Sequence, residues 1–254
     1  MVIKVVNGTL PFNCLTLPLA AHYNPLMPRL ARNVFLNVPH HITQRGNRRA
    51  DVFFSDDDRK TYLRWLQEYA ELHGVEILAY CLMSNHIHLV AVPSDETGLQ
   101  AMLKPLHMRH AQRVNRAHGW HGHLWQGRYF SSGLDDAYLW AAIRYVERNP
   151  VRARLVRKAA NYPWSSAQAH CGLRDDPVLT SRKNWLKQFA DIGDWEAWLA
   201  EGDEPAAMEI LRRNVDKGLP CGGAQFIRKM ERLAGRTLEY RPPGRPWKTD
   251  GNKG

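Results

Sequence analysis

Cysteine is scarce in this chain. Cys14, Cys81, Cys171 and Cys221 are scattered and never form Cys-x-x-Cys, which excludes a zinc knuckle and a disulfide framework and suits a reducing, cytoplasmic setting. Long apolar runs are missing as well. Nothing approaches the roughly 18 residues of a membrane span, so no membrane partner is expected. The opening stretch has only Lys4 as a basic group and is broken by Asn7, Gly8, Pro11, Asn13 and Pro18, a poor secretion signal. Acidic residues are the third shortage. Across 254 residues, 25 Asp and Glu face 35 Lys and Arg, a net charge of +10, so a polyanion is the first partner to consider. Residues 100–160 hold eleven basic residues against three acidic, and residues 205–254 eleven against five. Together these two excesses exceed that of the whole chain, so the remainder is net acidic and the charge is placed rather than spread.

Residues 1–26 show no clear period and read as a dispensable N-terminal extension, with Met27 as the natural start. His40 to Gln44 reads as a strand closed by Arg45-Gly46-Asn47. Ser55 followed by three aspartates opens a helix, whose stripe is Tyr62, Leu63, Trp65, Leu66, Tyr69, Ala70 and Leu72 and which Gly74 closes. Strands at Val75–Met83 and His86–Val92 follow, then a helix from Leu99 to His118, a loop to Gly127, a short strand from Arg128 to Ser132, and a helix from Asp135-Asp136 to Asn149, ended by Pro150. Strand, helix, strand, strand, helix, strand is the split βαβ order. The expected fold is α+β, a ferredoxin-like antiparallel sheet with helices on one face, plus a small C-terminal helical region. Residues 27–172 form the main domain and 173–240 a helical, DNA-binding-like region. In the latter, Trp185, Trp195 and Trp198 share helical spacing. Helices over Pro205–Lys217 and Ala224–Ala234 resemble a helix-turn-helix whose Gln225, Arg228, Lys229 and Arg232 face outward, opposite Phe226, Met230 and Leu233. Residues 241–254 read as a disordered basic tail, in which Gly244-Arg245-Pro246 is a weak minor-groove pattern.

The chemistry centres on Ser84-Asn85-His86-Ile87-His88-Leu89-Val90. In a strand His86 and His88 project from one face and Ile87 and Leu89 from the other, giving a two-imidazole platform able to hold a divalent cation. Tyr145 and Asn149 stand one helical turn apart, with Arg148 and Arg152 close by. A phenol forms a covalent intermediate when a cation neutralises charge developing on the group it attacks, and an Asn amide oxygen completes a metal shell. Tyr129 and Tyr138 are rival nucleophiles. The pairs His121/His123 and His107/His110 read as structural or DNA-facing.

Three motifs occur in order: Met83-Ser84-Asn85-His86-Ile87-His88, Leu124-Trp125-Gln126-Gly127-Arg128-Tyr129, and Tyr145-Val146-Glu147-Arg148-Asn149-Pro150-Val151-Arg152-Ala153. Together with Arg45-Gly46-Asn47 and Tyr162-Pro163-Trp164-Ser165-Ser166, they resemble the single-tyrosine HUH transposases, in the branch associated with repetitive extragenic palindromes. The resemblance spans roughly residues 27–170. It departs from the pattern at Arg154, where the family commonly has glycine, and in the extension before Met27. It implies that His86, His88 and Asn149 bind Mg²⁺ or Mn²⁺ and that Tyr145 attacks a phosphorus in single-stranded DNA, leaving a 5′-phosphotyrosine and a free 3′-hydroxyl. It also implies a hairpin DNA partner and a monomer or homodimer. Arg45, Asn47, Arg128, Arg148 and Arg152 are the expected DNA contacts. A non-catalytic hairpin-binding or regulatory protein on the same scaffold is the alternative, and a ferredoxin-like RNA binder a weaker third.

Overall fold

The computed structural model describes residues 33–180 and 192–240, all within the compact unit that spans residues 32–254. The expectations for the N-terminal extension, Trp185 and the basic tail lie outside these residues. Four strands form one antiparallel sheet: β1 (His40–Arg45), β2 (Val75–Leu82), β3 (His86–Pro93) and β4 (Phe130–Gly133), in the order β2-β3-β1-β4. The crossover helices α1 (Asp56–Leu72) and α2 (Gly98–His118) complete the ferredoxin-like order.

Local chemistry explains the element ends. Ser55 Oγ accepts from the Asp58 amide (3.1 Å) while the Asp58 carboxylate accepts from the Ser55 amide (3.0 Å), a reciprocal cap that starts α1. One face of the sheet packs on α1 and α2 through Ile42, Ile87 and Leu89 with Tyr62, Leu66, Met102 and Leu106. Ile42, Ile87 and Leu89 are fully buried, worth roughly 2 kcal/mol apiece. Leu72, in the last turn of α1, is 69% exposed and does not join the stripe. A bulge at Leu78 shifts the register between Ile77 and Ala79, so that Val75 and Ile77 before it and Tyr80 and Leu82 after it all reach this same core.

The opposite face is covered too, by α3 (Asp136–Glu147), which extends the expectation of helices on one face. Leu139, Ala142, Ile143 and Val146 pack there on Cys81, Val90 and Val92. Asp135 caps α3 by accepting from the Tyr138 amide (2.9 Å). Short α4 (Asn149–Arg152) and α5 (Ala167–His170) follow, then α6 (Trp195–Ala200), α7 (Pro205–Lys217) and α8 (Ala224–Ala234). Trp195, Leu199, Met208 and Leu211 join the core of α3, so residues beyond 192 share that core. Gln225, Arg228, Lys229 and Arg232 are exposed as expected, but so is Leu233 (64%), and Met230 alone of the apolar side is fully buried.

Candidate active site

Strand alternation and pairing build the site on the face covered by α3. Arg45 lies opposite His86 and Thr43 opposite His88, so His41, two residues before Thr43, reaches His88 diagonally. His41 Nε2 and His88 Nδ1 are 3.0 Å apart, and the rings stack at 5.2 Å. The Asn85 amide nitrogen donates to the Arg49 carbonyl (3.1 Å), which turns its oxygen toward His86 Nδ1 at 2.6 Å. His86 therefore carries its proton on Nδ1 and keeps the Nε2 lone pair.

Burial sets the charge state. It lowers His86 to about 4, helped by Arg45, and His41 to about 3, helped by Arg152. His88 is pushed well below the ordinary histidine value by burial and by its two histidine neighbours. All three rings are neutral at pH 7, the form that ligates a cation.

Tyr145 stands edge-on to both buried rings, at 5.4 Å from His88 and 5.6 Å from His41. It is buried, and its hydroxyl makes no hydrogen bond among the described residues. The Arg152 guanidinium lies 3.9 Å from its ring centre and donates to its backbone carbonyl (2.7 Å), and the Arg212 guanidinium lies 5.7 Å from the ring. The helix does not run unbroken to Asn149. Pro150 has no amide to continue the ladder, so α3 ends at Glu147, Arg148 forms the joint (φ −83°, ψ −2°) and α4 begins at Asn149. Asn149 is buried, and its amide nitrogen has no hydrogen-bond partner. Between the two, Glu147 is fully buried and accepts from Ser166 (2.5 Å), His170 (2.6 Å) and Trp195 (2.7 Å). Ser166 also bonds β2 through its amide to the Tyr80 carbonyl (3.0 Å), so the Tyr162–Ser166 motif ties the end of α3 to the sheet edge.

The arginines divide. Arg45 and Arg128 are exposed, and Asn47 lies in the exposed turn after β1. Arg148 and Arg152 both bind Asp203 (3.4 and 3.1 Å), and Arg148 also donates to the Leu199 carbonyl. A DNA phosphate at either must compete with that carboxylate. Arg154 has φ +58°, a left-handed backbone that glycine adopts at less cost.

The rival residues lie elsewhere. Tyr129 is buried in the core against α1 and α2, across the sheet from His86 and His88. Tyr138 is partly buried near Asp135, Glu204 and Arg213. His107 and His110 are buried on α2 and bonded to the Tyr62 hydroxyl (3.0 Å) and the Val52 carbonyl (2.7 Å), whereas His121 and His123 sit exposed in a loop. Sequence reading missed His41, Asn85 as an orienting group, Glu147 and Asp203. A period-two reading of His41 against Thr43 could have placed the first, because it shares the face of Arg45.

Residues 35–149 match the pattern of the family described as transposase, IS200-like. The match covers somewhat less than half of the chain. Two solved structures are similar to the chain. One is the REP-associated tyrosine transposase bound to a REP hairpin, at 18% identity and a TM-score of 0.45, covering 61% of this chain and 93% of that one. The other is a protein from Deinococcus radiodurans R1 proposed to be a transposase, at 20% identity and a TM-score of 0.32, covering 50% of this chain and 92% of that one. Among curated proteins, none matches. The matched span ends at Asn149, and Asp203 and Arg212 reach Tyr145 or its supporting arginines from outside it.

Among the described residues no three His, Cys, Asp or Glu side chains are arranged to hold a metal, and the neighbouring donors are the two neutral imidazoles of His86 and His88, with ring centres 5.0 Å apart. The unsatisfied atom of Asn149 is its amide nitrogen, a buried donor, whereas a cation would need the amide oxygen. So few protein ligands leave coordination positions for substrate oxygens.

Proposed function

We propose that the chain carries an IS200-like transposase domain, a metal-dependent single-stranded DNA endonuclease and strand transferase acting on palindromic hairpin DNA through a covalent 5′-phosphotyrosine at Tyr145. The observation that supports this reading most is the uncommitted Tyr145 hydroxyl beside buried, neutral histidines. His86, His88 and, through its amide oxygen, Asn149 would hold Mg²⁺ or Mn²⁺, which would supply positive charge to offset that developing on the scissile phosphate. The Tyr145 oxygen attacks phosphorus and gives up its proton, the bond from phosphorus to the 3′-oxygen breaks, and that oxygen leaves as a 3′-hydroxyl. Attack on the phosphotyrosine by another 3′-hydroxyl reverses each bond change and restores the phenol. Arg152 sits over the Tyr145 ring, where its charge favours a developing phenolate. Arg45, Asn47 and Arg128 contact the strand near the cut.

A labelled hairpin with single-stranded flanks and Mn²⁺ tests this. The unaltered chain is expected to yield a covalent adduct on denaturing gels. Tyr145→Phe is expected to abolish it and retain DNA binding, while Tyr138→Phe keeps it. An adduct that survives Tyr145→Phe overturns the assignment, and tight hairpin binding without any adduct favours the non-catalytic binding protein.

A further inference from the structure

Beside the turn that leads into His86, three aromatic rings gather on the surface. The amides of Val52 and Phe53 both donate to the Ser84 carbonyl (2.8 and 3.1 Å), which holds Phe54 next to the β2–β3 turn. From the other side, His118 ends α2, Gly119 turns the chain left-handed (φ +66°), and Trp120 follows with its amide on the Asn115 carbonyl (2.8 Å). Trp120 stacks on His118 at 4.4 Å, and Phe54 meets His118 at 4.5 Å and Trp120 at 5.4 Å. Phe54 remains 41% exposed and Trp120 47%. Covering the end of α2 accounts for Trp120 against His118. It does not account for Phe54, which arrives from a different segment and leaves the cluster open to water.

The segments that carry the rings are mainly basic, with one exposed acid, Asp51, between Arg49 and Phe54. Arg48, Arg49 and Arg116 are exposed and have no carboxylate partner among the described residues. The neighbouring acids on α1, Asp57 and Asp58, are both engaged by Arg113. Asn85 binds the Arg49 carbonyl and His86 at once, so the arginine turn is fixed to the residue that orients a proposed metal ligand. Open rings on segments that also carry unpaired cations suit an unpaired nucleotide, whose base has a π face and whose backbone is anionic. Duplex bases are already stacked on one another and do not present that face.

Resting on the nuclease reading, we propose that Phe54, His118 and Trp120 form a stacking platform for an unpaired base of the single strand flanking the hairpin, with Arg48, Arg49 and Arg116 receiving the adjacent phosphates. The test compares a fluorescent hairpin carrying a single-stranded tail with the same hairpin lacking it, using the full chain in a Tyr145→Phe background. Phe54→Ala and Trp120→Ala are each expected to weaken the tailed DNA on the order of tenfold and leave the bare hairpin unchanged, while Trp120→Phe retains most of the affinity. Thermal melts confirm that each variant is folded. With 5-iodo-deoxyuridine in the tail, ultraviolet cross-links are expected on peptides containing Phe54 or Trp120. Equal weakening of both DNAs, or unchanged affinity with cross-links elsewhere, overturns the platform. Adduct formation by the unaltered chain is scored separately. Tail discrimination without an adduct keeps the platform and removes the nuclease reading, whereas an adduct without tail discrimination does the reverse.

Discussion

Two tyrosine and histidine clusters occupy opposite faces of one sheet. On the face of α1 and α2, Tyr62 is fully buried and bonded to His107 (3.0 Å), with His110 edge-on at 5.3 Å. On the face of α3, Tyr145 meets His88 and His41 at similar ring distances, yet its hydroxyl is uncommitted. The residue types are the same, and partnering separates them. A phenol that already bonds an imidazole deep in a core is structural, and burial pushes the Tyr62 phenol well above its ordinary value. A phenol left without a partner beside a face that can take a cation is available for chemistry.

The comparison can be broken most sharply at the histidines. His86→Ala is expected to lower Mn²⁺-dependent adduct formation by about a hundredfold or more, whereas His107→Ala leaves the adduct rate of the folded fraction unchanged. Equal loss in both variants, measured on protein shown to be folded, erases the distinction. A smaller effect is expected one shell out. His41→Ala removes the bond to His88 Nδ1 and is expected to weaken Mn²⁺ binding about 10- to 100-fold, read by electron paramagnetic resonance without DNA. Unchanged Mn²⁺ affinity means that His41 only fills space.

Acid probes what the clusters share. Burial lowers His41 and His107 each to about 3, below the value near 6.5 of an unfolded chain. Below pH 6.5 the unfolded state binds these protons and the native state does not, so stability is full above 6.5 and falls as pH drops toward the folded values. The loss expected by pH 4 is about 3 kcal/mol per histidine, and His107→Gln is expected to flatten urea-derived stability against pH by that amount. A variant with the same slope as the unaltered chain refutes the assignment. Smallest is Tyr62→Phe, which leaves His107 Nε2 unpaired and is expected to cost about 1–3 kcal/mol in urea unfolding with adduct formation intact. A loss of adduct in that variant joins the two clusters functionally.

Much of this was readable in advance for a simple reason: strand alternation is a local rule. It put His86 and His88 together, and Ser55 with its aspartates marked α1 as clearly as the capping geometry does. The bulge at Leu78 was not legible, because nothing in Ile77-Leu78-Ala79 distinguishes an extra residue from a regular one. The break at Arg148 was half legible. Pro150 forecast an end, but whether the chain resumes as α4 depends on Asp203 and Leu199 holding Arg148 from far along the sequence.

By itself, then, the sequence determined the strand and helix order, the shared face of the two histidines and the one-turn spacing of Tyr145 and Asn149. Those follow from backbone periods of two and 3.6, which need no knowledge of distant neighbours. Tertiary structure alone decided that Tyr145 meets His88 and His41 edge-on while Tyr129 lies across the sheet, and that Asp203 holds Arg148 and Arg152, the latter over the tyrosine ring. Each of these is a contact between residues far apart in the chain. Such contacts depend on which face of the sheet a helix covers, and no local pattern records that choice.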